Sequence, residues 1–152
     1  MSKASKSVSR RWFLLGAVVA IPAGVYAYQR TMYPTFDGDA LTPQQAHEFA
    51  LAGKIALIDI RRPDEWAKTG SAGGGHRIDM RDDDFVAQLM AITGGKKDVP
   101  VALICAAGVR SARLSNRLTK AGFSRIIDVP EGMLGSRAGP GWIKRGLPVE
   151  QS

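Results

Sequence analysis

A chain of 152 residues, 45% hydrophobic and 23% charged, is sized for one globular domain of ordinary dimensions. Its formal net charge of +7 is concentrated at one end: Lys3, Lys6, Arg10 and Arg11 precede position 28 with no acid beside them, leaving +3 for the rest, scattered among acids in a way that excludes nucleic acid as a partner. The single cysteine, Cys105, excludes an internal disulfide and the Cys-x-x-Cys and resolving-thiol forms of redox chemistry.

The basic cluster is followed by 17 uncharged residues, Trp12 to Tyr28. That pattern predicts an N-terminal hydrophobic helix, with residues 1–28 acting as a signal peptide or membrane anchor. Positive charge is retained in the cytoplasm, so the remainder is expected on the periplasmic side of the cytoplasmic membrane. Ser9 to Leu15, SRRWFLL, resembles a twin-arginine export signal, and general export fits equally well. Val25, Tyr26 and Ala27 offer a small-residue cleavage site, which leaves both a released domain and a retained anchor open. Residues 29–40, with Pro34, Gly38 and no periodicity, read as a linker to a domain over 41–150.

Within the domain, Thr42 before Pro43, then Ala46, Phe49 and Ala50, then Gly53, predicts a capped helix. Ile55 to Ile60 is a nearly continuous apolar run, as expected of a strand buried on both faces. Arg62 to Trp66 opens a brief helix. Gly70 and Gly73 to Gly75 form a loop to a short strand about Ile78. Asp82 or Asp83 caps a helix through Phe85, Val86, Leu89 and Met90, ended by Gly94 to Lys97. Val101 to Ile104 is a second buried strand, Arg110 to Ala121 a helix presenting Leu114 and Leu118 to the core, and Ile126 to Val129 a third strand. This alternation predicts an α/β fold, a mainly parallel central sheet with helices on both faces, whose ligands sit beyond the carboxyl ends of the strands.

Cys105 stands at such an end, with apolar residues behind it and Ala106, Ala107, Gly108, Val109, Arg110 and Ser111 ahead. A thiol becomes nucleophilic when cationic groups or a helix N-terminus favour its thiolate. The helix beginning near Arg110 supplies its unpaired amides, and a glycine-containing turn lets the amides of residues 106 to 111 converge. Arg110 adds a fork of donors suited to an oxyanion. Small side chains at 106 and 107 leave the space open.

Three stretches, LIDIRRPDEWAKTG (Leu57 to Gly70), CAAGVRS (Cys105 to Ser111) and EGMLGS with GWIKRGLPVE (within Glu131 to Glu150), together resemble the rhodanese family of sulfurtransferases. The resemblance covers residues 40 to 150 and implies one rhodanese-like domain. It implies a persulfide on Cys105, with a small-molecule donor such as thiosulfate and a thiol or cyanide as acceptor. Ala106, Ala107, Gly108, Val109 and Ser111 would then hold the persulfide through their amides and Arg110 would bind the anionic end of the donor. No cofactor is implied. The resemblance also admits a non-catalytic binding module with a membrane or exported protein partner. Cysteine phosphatases of similar fold enclose five residues between Cys and Arg, against the four here, and Ile104 replaces the histidine common in tyrosine phosphatases; phosphatase and arsenate reductase are the weaker alternatives.

The chain departs from the family at Ala106, where many members carry arginine, at TGSAGGGHRIDM, which lacks a His-Ile-Pro, and at Arg137 to Gly141, which lengthens the last loop. Asp59, Arg61 and Glu65 read as a structural charge network. His47 is expected on an exposed helix face and His76 in a glycine loop, neither with a partner at metal-ligand spacing, so no metal site is expected. Trp66 and Trp142 read as packing anchors.

Overall fold

The computed structural model describes residues 25–29 and 31–151. The hydrophobic helix expected over Trp12 to Tyr28 lies mostly outside these residues; within the first compact unit, Met1–Pro34, residues 25–29 and 31–32 are helical. Among the described residues no helix is long and apolar enough to cross a membrane. The second unit, Thr35–Ser152, carries the sheet.

Five strands form that sheet: β1 (Asp39–Ala40), β2 (Ala56–Asp59), β4 (His76–Arg77), β5 (Val101–Ile104) and β6 (Ile126–Asp128). Their order is β1-β6-β5-β2-β4 and every pairing is parallel. Strands β3 (Ser71–Ala72) and β7 (Val149–Glu150) form a separate antiparallel pair. Alternate side chains of the central strands feed two cores, as the period-two pleat requires. Ile58, Val101 and Leu103 pack with helices α3 (Phe85–Ile92) and α4 (Val109–Lys120). Leu57, Ala102 and Ile104 face the other way, onto Ala46 of helix α1 (Pro43–Leu51), Met133 and Trp142. Helices thus cover both faces, and the central strands are apolar on both.

Local chemistry sets the helix ends. Thr42 caps α1 reciprocally: its Oγ1 accepts from Gln45 N at 3.3 Å and its own N–H donates to Gln45 Oε1 at 3.0 Å. Helix α2 (Pro63–Thr69) begins with proline at its first position and stops at Gly70, φ +73°. The α3 cap differs from expectation. Asp84 occupies the cap position and makes no capping bond; its carboxylate and that of Asp82 instead accept from Gln88 Nε2, at 2.8 and 3.3 Å.

Other differences from the expected elements follow from contacts distant in sequence. Asp39–Ala40, within the stretch read as linker, pairs with Ile127 and Asp128 as the sheet's edge strand, and Phe36 packs on the core. The strand expected about Ile78 is His76–Arg77, with Ile78 buried just beyond it. His47 is half-buried, its Nδ1 3.0 Å from Gly73 O and its ring edge-on to Trp142, so its helix face is not solvent.

Candidate active site

Cys105 is the first residue past β5, the central strand, and is 1% exposed. The chain then turns through Ala106, Ala107 and Gly108 into α4, with Gly108 at the cap position and φ +80°. A Cβ at Gly108 would sit 2.2 Å from Pro130 O, so the turn passes this close to the segment after β6 only as glycine. That segment clasps the turn. Met133 N–H donates to Cys105 O at 2.8 Å and Leu134 N–H to Ala106 O at 2.9 Å, while Gly132, φ +67°, would place a Cβ 2.5 Å from Ala106 O.

With both of those carbonyls engaged, the amides of residues 106 to 111 have no acceptor among the described residues. They include the first amides of a 12-residue helix, which point their positive ends back toward the strand. Open amides at a turn before a helix form a ready seat for an anionic group beside the sulfur. Ala107 is exposed and Ala106 and Val109 half-buried, so nothing bulky closes the turn.

Two side chains of the turn act on Cys105. Its Sγ donates to Ser111 Oγ at 3.6 Å, and the Ser111 hydroxyl donates to Gly108 O at 3.0 Å. Arg110 is the second. Its pKa is raised chiefly by its hydrogen bond to Glu65, with Cys105 contributing. Both terminal nitrogens of Arg110 are held by Glu65, Nη1 to Oε2 at 2.7 Å and Nη2 to Oε1 at 2.6 Å. The Arg110 guanidinium in turn holds the Glu65 carboxyl below the usual carboxylate range, against the opposing effect of burial.

The expected charge network therefore divides. Asp59 and Arg61 do form a buried pair, Nη2 to Oδ2 at 2.8 Å, with Arg61 also donating to Thr69 Oγ1 and Gly70 O. Glu65 leaves that pair for Arg110 and joins the site. Its position three residues after Arg62, where it also accepts from the Arg62 N–H at 3.2 Å, gave a helix-cap signal but none for a partner 45 residues away. Reading the residues also missed Asp128, the last residue of β6, which lies 4% exposed with Oδ1 unpartnered. The lengthened loop is braced by Glu131, which accepts from Arg145 at 2.7 Å and from Gly141 N–H at 3.0 Å. Among the described residues no group of His, Cys, Asp and Glu is arranged to hold a metal ion.

A family model described as the rhodanese-like domain matches residues 42–137, well over half of the chain. The chain belongs to this family. Its fold is accordingly the rhodanese-like α/β fold, with the parallel sheet described above. It is similar to thiosulfate sulfurtransferase 16, chloroplastic, of Arabidopsis thaliana, at 27% identity over 69% of this chain and 87% of that protein. It is also similar to the uncharacterized protein YibN of Escherichia coli, at 28% identity over 61% of this chain and 59% of that one, so the match spans under two thirds of that relative's length. Among solved structures, the 30 kDa polysulfide-sulfur transferase homodimer of Wolinella succinogenes aligns at a TM-score of 0.57 and 26% identity, covering 88% of this chain and 89% of that one.

Proposed function

We propose that this rhodanese-like domain is a sulfurtransferase that carries a sulfane sulfur as a persulfide on Cys105. The observation that carries the reading is the seat itself: one thiol at the end of the central strand, beside a turn whose amides from 106 to 111 are unengaged. With thiosulfate as donor, the Cys105 thiolate attacks the outer sulfur, the sulfur–sulfur bond of the donor breaks, and sulfite leaves with the bonding pair. The open amides stabilise the terminal persulfide anion. A thiol or cyanide acceptor then takes that sulfur and returns Cys105 to its thiolate. Sulfur transfer by the Arabidopsis and Wolinella proteins supports a thiosulfate or polysulfide donor for this chain as well.

Intact-mass measurement of the purified chain after thiosulfate treatment should show one added sulfur, absent in Cys105→Ser. Absence of labelling by both thiosulfate and a low-molecular-weight persulfide would falsify the transfer reading. A second reading, a binding module without turnover, draws on Ala106 and on the Glu65 clamp, which together leave little free positive charge at the turn. Such a module would keep its physiological role in Cys105→Ser.

The domain's location is part of the same proposal. The cluster Lys3, Lys6, Arg10, Arg11 before the uncharged run from Trp12 supports delivery to the periplasmic side, as a released or anchored domain beside a membrane or exported protein partner. A reporter joined after residue 40 should be active only outside the cytoplasm.

A further inference from the structure

Glu65 is shared between two arginines. Its Oε1 accepts from Arg110 Nη2 at 2.6 Å, but its Oε2 lies among three donors: Arg110 Nη1 at 2.7 Å, the Arg62 N–H at 3.2 Å and Arg62 Nε at 3.5 Å. Arg62, the residue before α2, meanwhile turns its guanidinium to Asp64, with Nε to Oδ1 and Nη2 to Oδ2 both at 2.9 Å.

The two pairs differ in how readily they open. The side chains of Arg62 and Asp64 are 45% and 66% exposed, so water competes for both partners and the pair is worth little. Those of Arg110 and Glu65 are 30% and 18% exposed and meet as a bidentate fork, a stronger and more directional contact. An anion that takes Arg110 for itself leaves the Glu65 carboxylate without its main partner. A half-buried carboxylate stranded in that way opposes both the release and the arriving charge. Arg62 is placed to receive it, because its N–H already holds Oε2 and its Nε is already at ion-pair distance.

We propose that Arg62 is the standby partner of Glu65: when an anionic donor engages Arg110, Arg62 gives up Asp64 and takes the Glu65 carboxylate. Arg110 is then freed without stranding a charge beside the thiol, and Asp64 is left where water can replace the arginine. Ion pairs exchange; no covalent bond changes and no proton moves. Arg62 acts through Glu65, so it is a positioning residue that sets how readily an anion reaches Cys105. Its role toward a sulfur donor rests on the sulfur-transfer reading, whereas its hold on Glu65 does not.

The test compares alkylation of Cys105 by iodoacetate, whose carboxylate stands in for the anionic end of a donor, with alkylation by uncharged iodoacetamide. It uses the full chain at low salt without any sulfur donor, so it stays readable if thiosulfate never loads the protein. The ratio of the two rates cancels changes in thiolate content and reports the entry of charge. Arg62→Gln should lower that ratio about threefold or more, Arg62→Lys should return it close to the native value, and Glu65→Gln should raise it. Added to Glu65→Gln, the Arg62→Gln change should leave the ratio within about 1.5-fold, because the carboxylate Arg62 would receive is gone. An equal fall in both backgrounds overturns the proposal, since Arg62 would then act only as a charge at a distance; a native ratio in Arg62→Gln overturns it as well. A chain that fails to load sulfur yet shows this coupling loses the transfer reading and keeps the role of Arg62.

Discussion

The Glu65 clamp changes what Arg110 can offer a substrate. A free guanidinium at the turn would attract an anionic donor through its full charge, but here both Nη atoms are bound to a carboxylate whose side chain is 18% exposed. The pair is partly solvated, so its worth to stability is small, and its larger effect is on the field at the entrance. Ala106, in the next position to the thiol, adds no charge of its own. Glu65→Gln should therefore restore positive charge beside Cys105 and lower the KM for thiosulfate about two- to fivefold, with the gain fading at high salt. Sulfite release measured at two ionic strengths checks this. An unchanged KM would mean that Arg110 serves the loop's architecture and never meets the donor.

At the level of elements, Gly108 in the turn from β5 to α4 is required for two separable reasons, which a comparison with Gly53, after α1, takes apart. Gly53 and Gly108 both have positive φ, +65° and +80°, but a Cβ at Gly53 meets nothing within 4 Å whereas one at Gly108 meets Pro130 O at 2.2 Å. Gly53→Ala should thus cost only the left-handed backbone term, about 1 kcal/mol. Gly108→Ala should cost at least about 2 kcal/mol more, because the turn must separate from the segment after β6, and it should abolish persulfide loading as the amides move. Urea unfolding of the two variants, with intact mass after thiosulfate, separates strain from loss of the seat. How much was legible follows the same division between local and distant causes. The strands β2, β5 and β6 are apolar runs buried on both faces and were readable as such, as were the caps of α1 and the ends of α2 and α4. The two-residue strands carry no period. Asp39–Ala40 is a strand because it reaches Ile127 and Asp128, and Ser71–Ala72 because it reaches Val149 and Glu150, pairings that no local window contains. Asp128 was hidden for a related reason: an acid closing an apolar run looks like a strand end in solvent, and its burial is imposed by α4 and β1.

For the molecule as a whole, buried carboxyls of opposite character set the pH at which the fold is firmest. Glu65, Asp79 and Glu131 are each held below the usual carboxylate range, chiefly by hydrogen bonds from Arg110, Arg81 and Arg145. A depressed group stabilises the fold above its unfolded pKa near 4 and loses that contribution as pH falls toward its folded value. Asp128 acts in the other direction. Its folded value, raised by burial to about 6, exceeds its unfolded one, so between roughly pH 4 and 6 the native state holds a proton that the unfolded chain has released, and stability falls as pH rises through that window. Above it the cost levels off at about 3 kcal/mol. The chain is already +7 at pH 7 and its charge grows as carboxyls protonate, so self-repulsion increases toward acid and bounds the maximum from below. The stability maximum is therefore expected between about pH 4 and 6 rather than at neutrality. Urea midpoints at pH 5 and pH 7.5 should show the native chain firmer at the lower pH, with Asp128→Asn removing most of the difference by raising the pH 7.5 value. If the midpoints of Asp128→Asn fall in parallel with the native ones, Asp128 is ionised at little cost and the descent has another source.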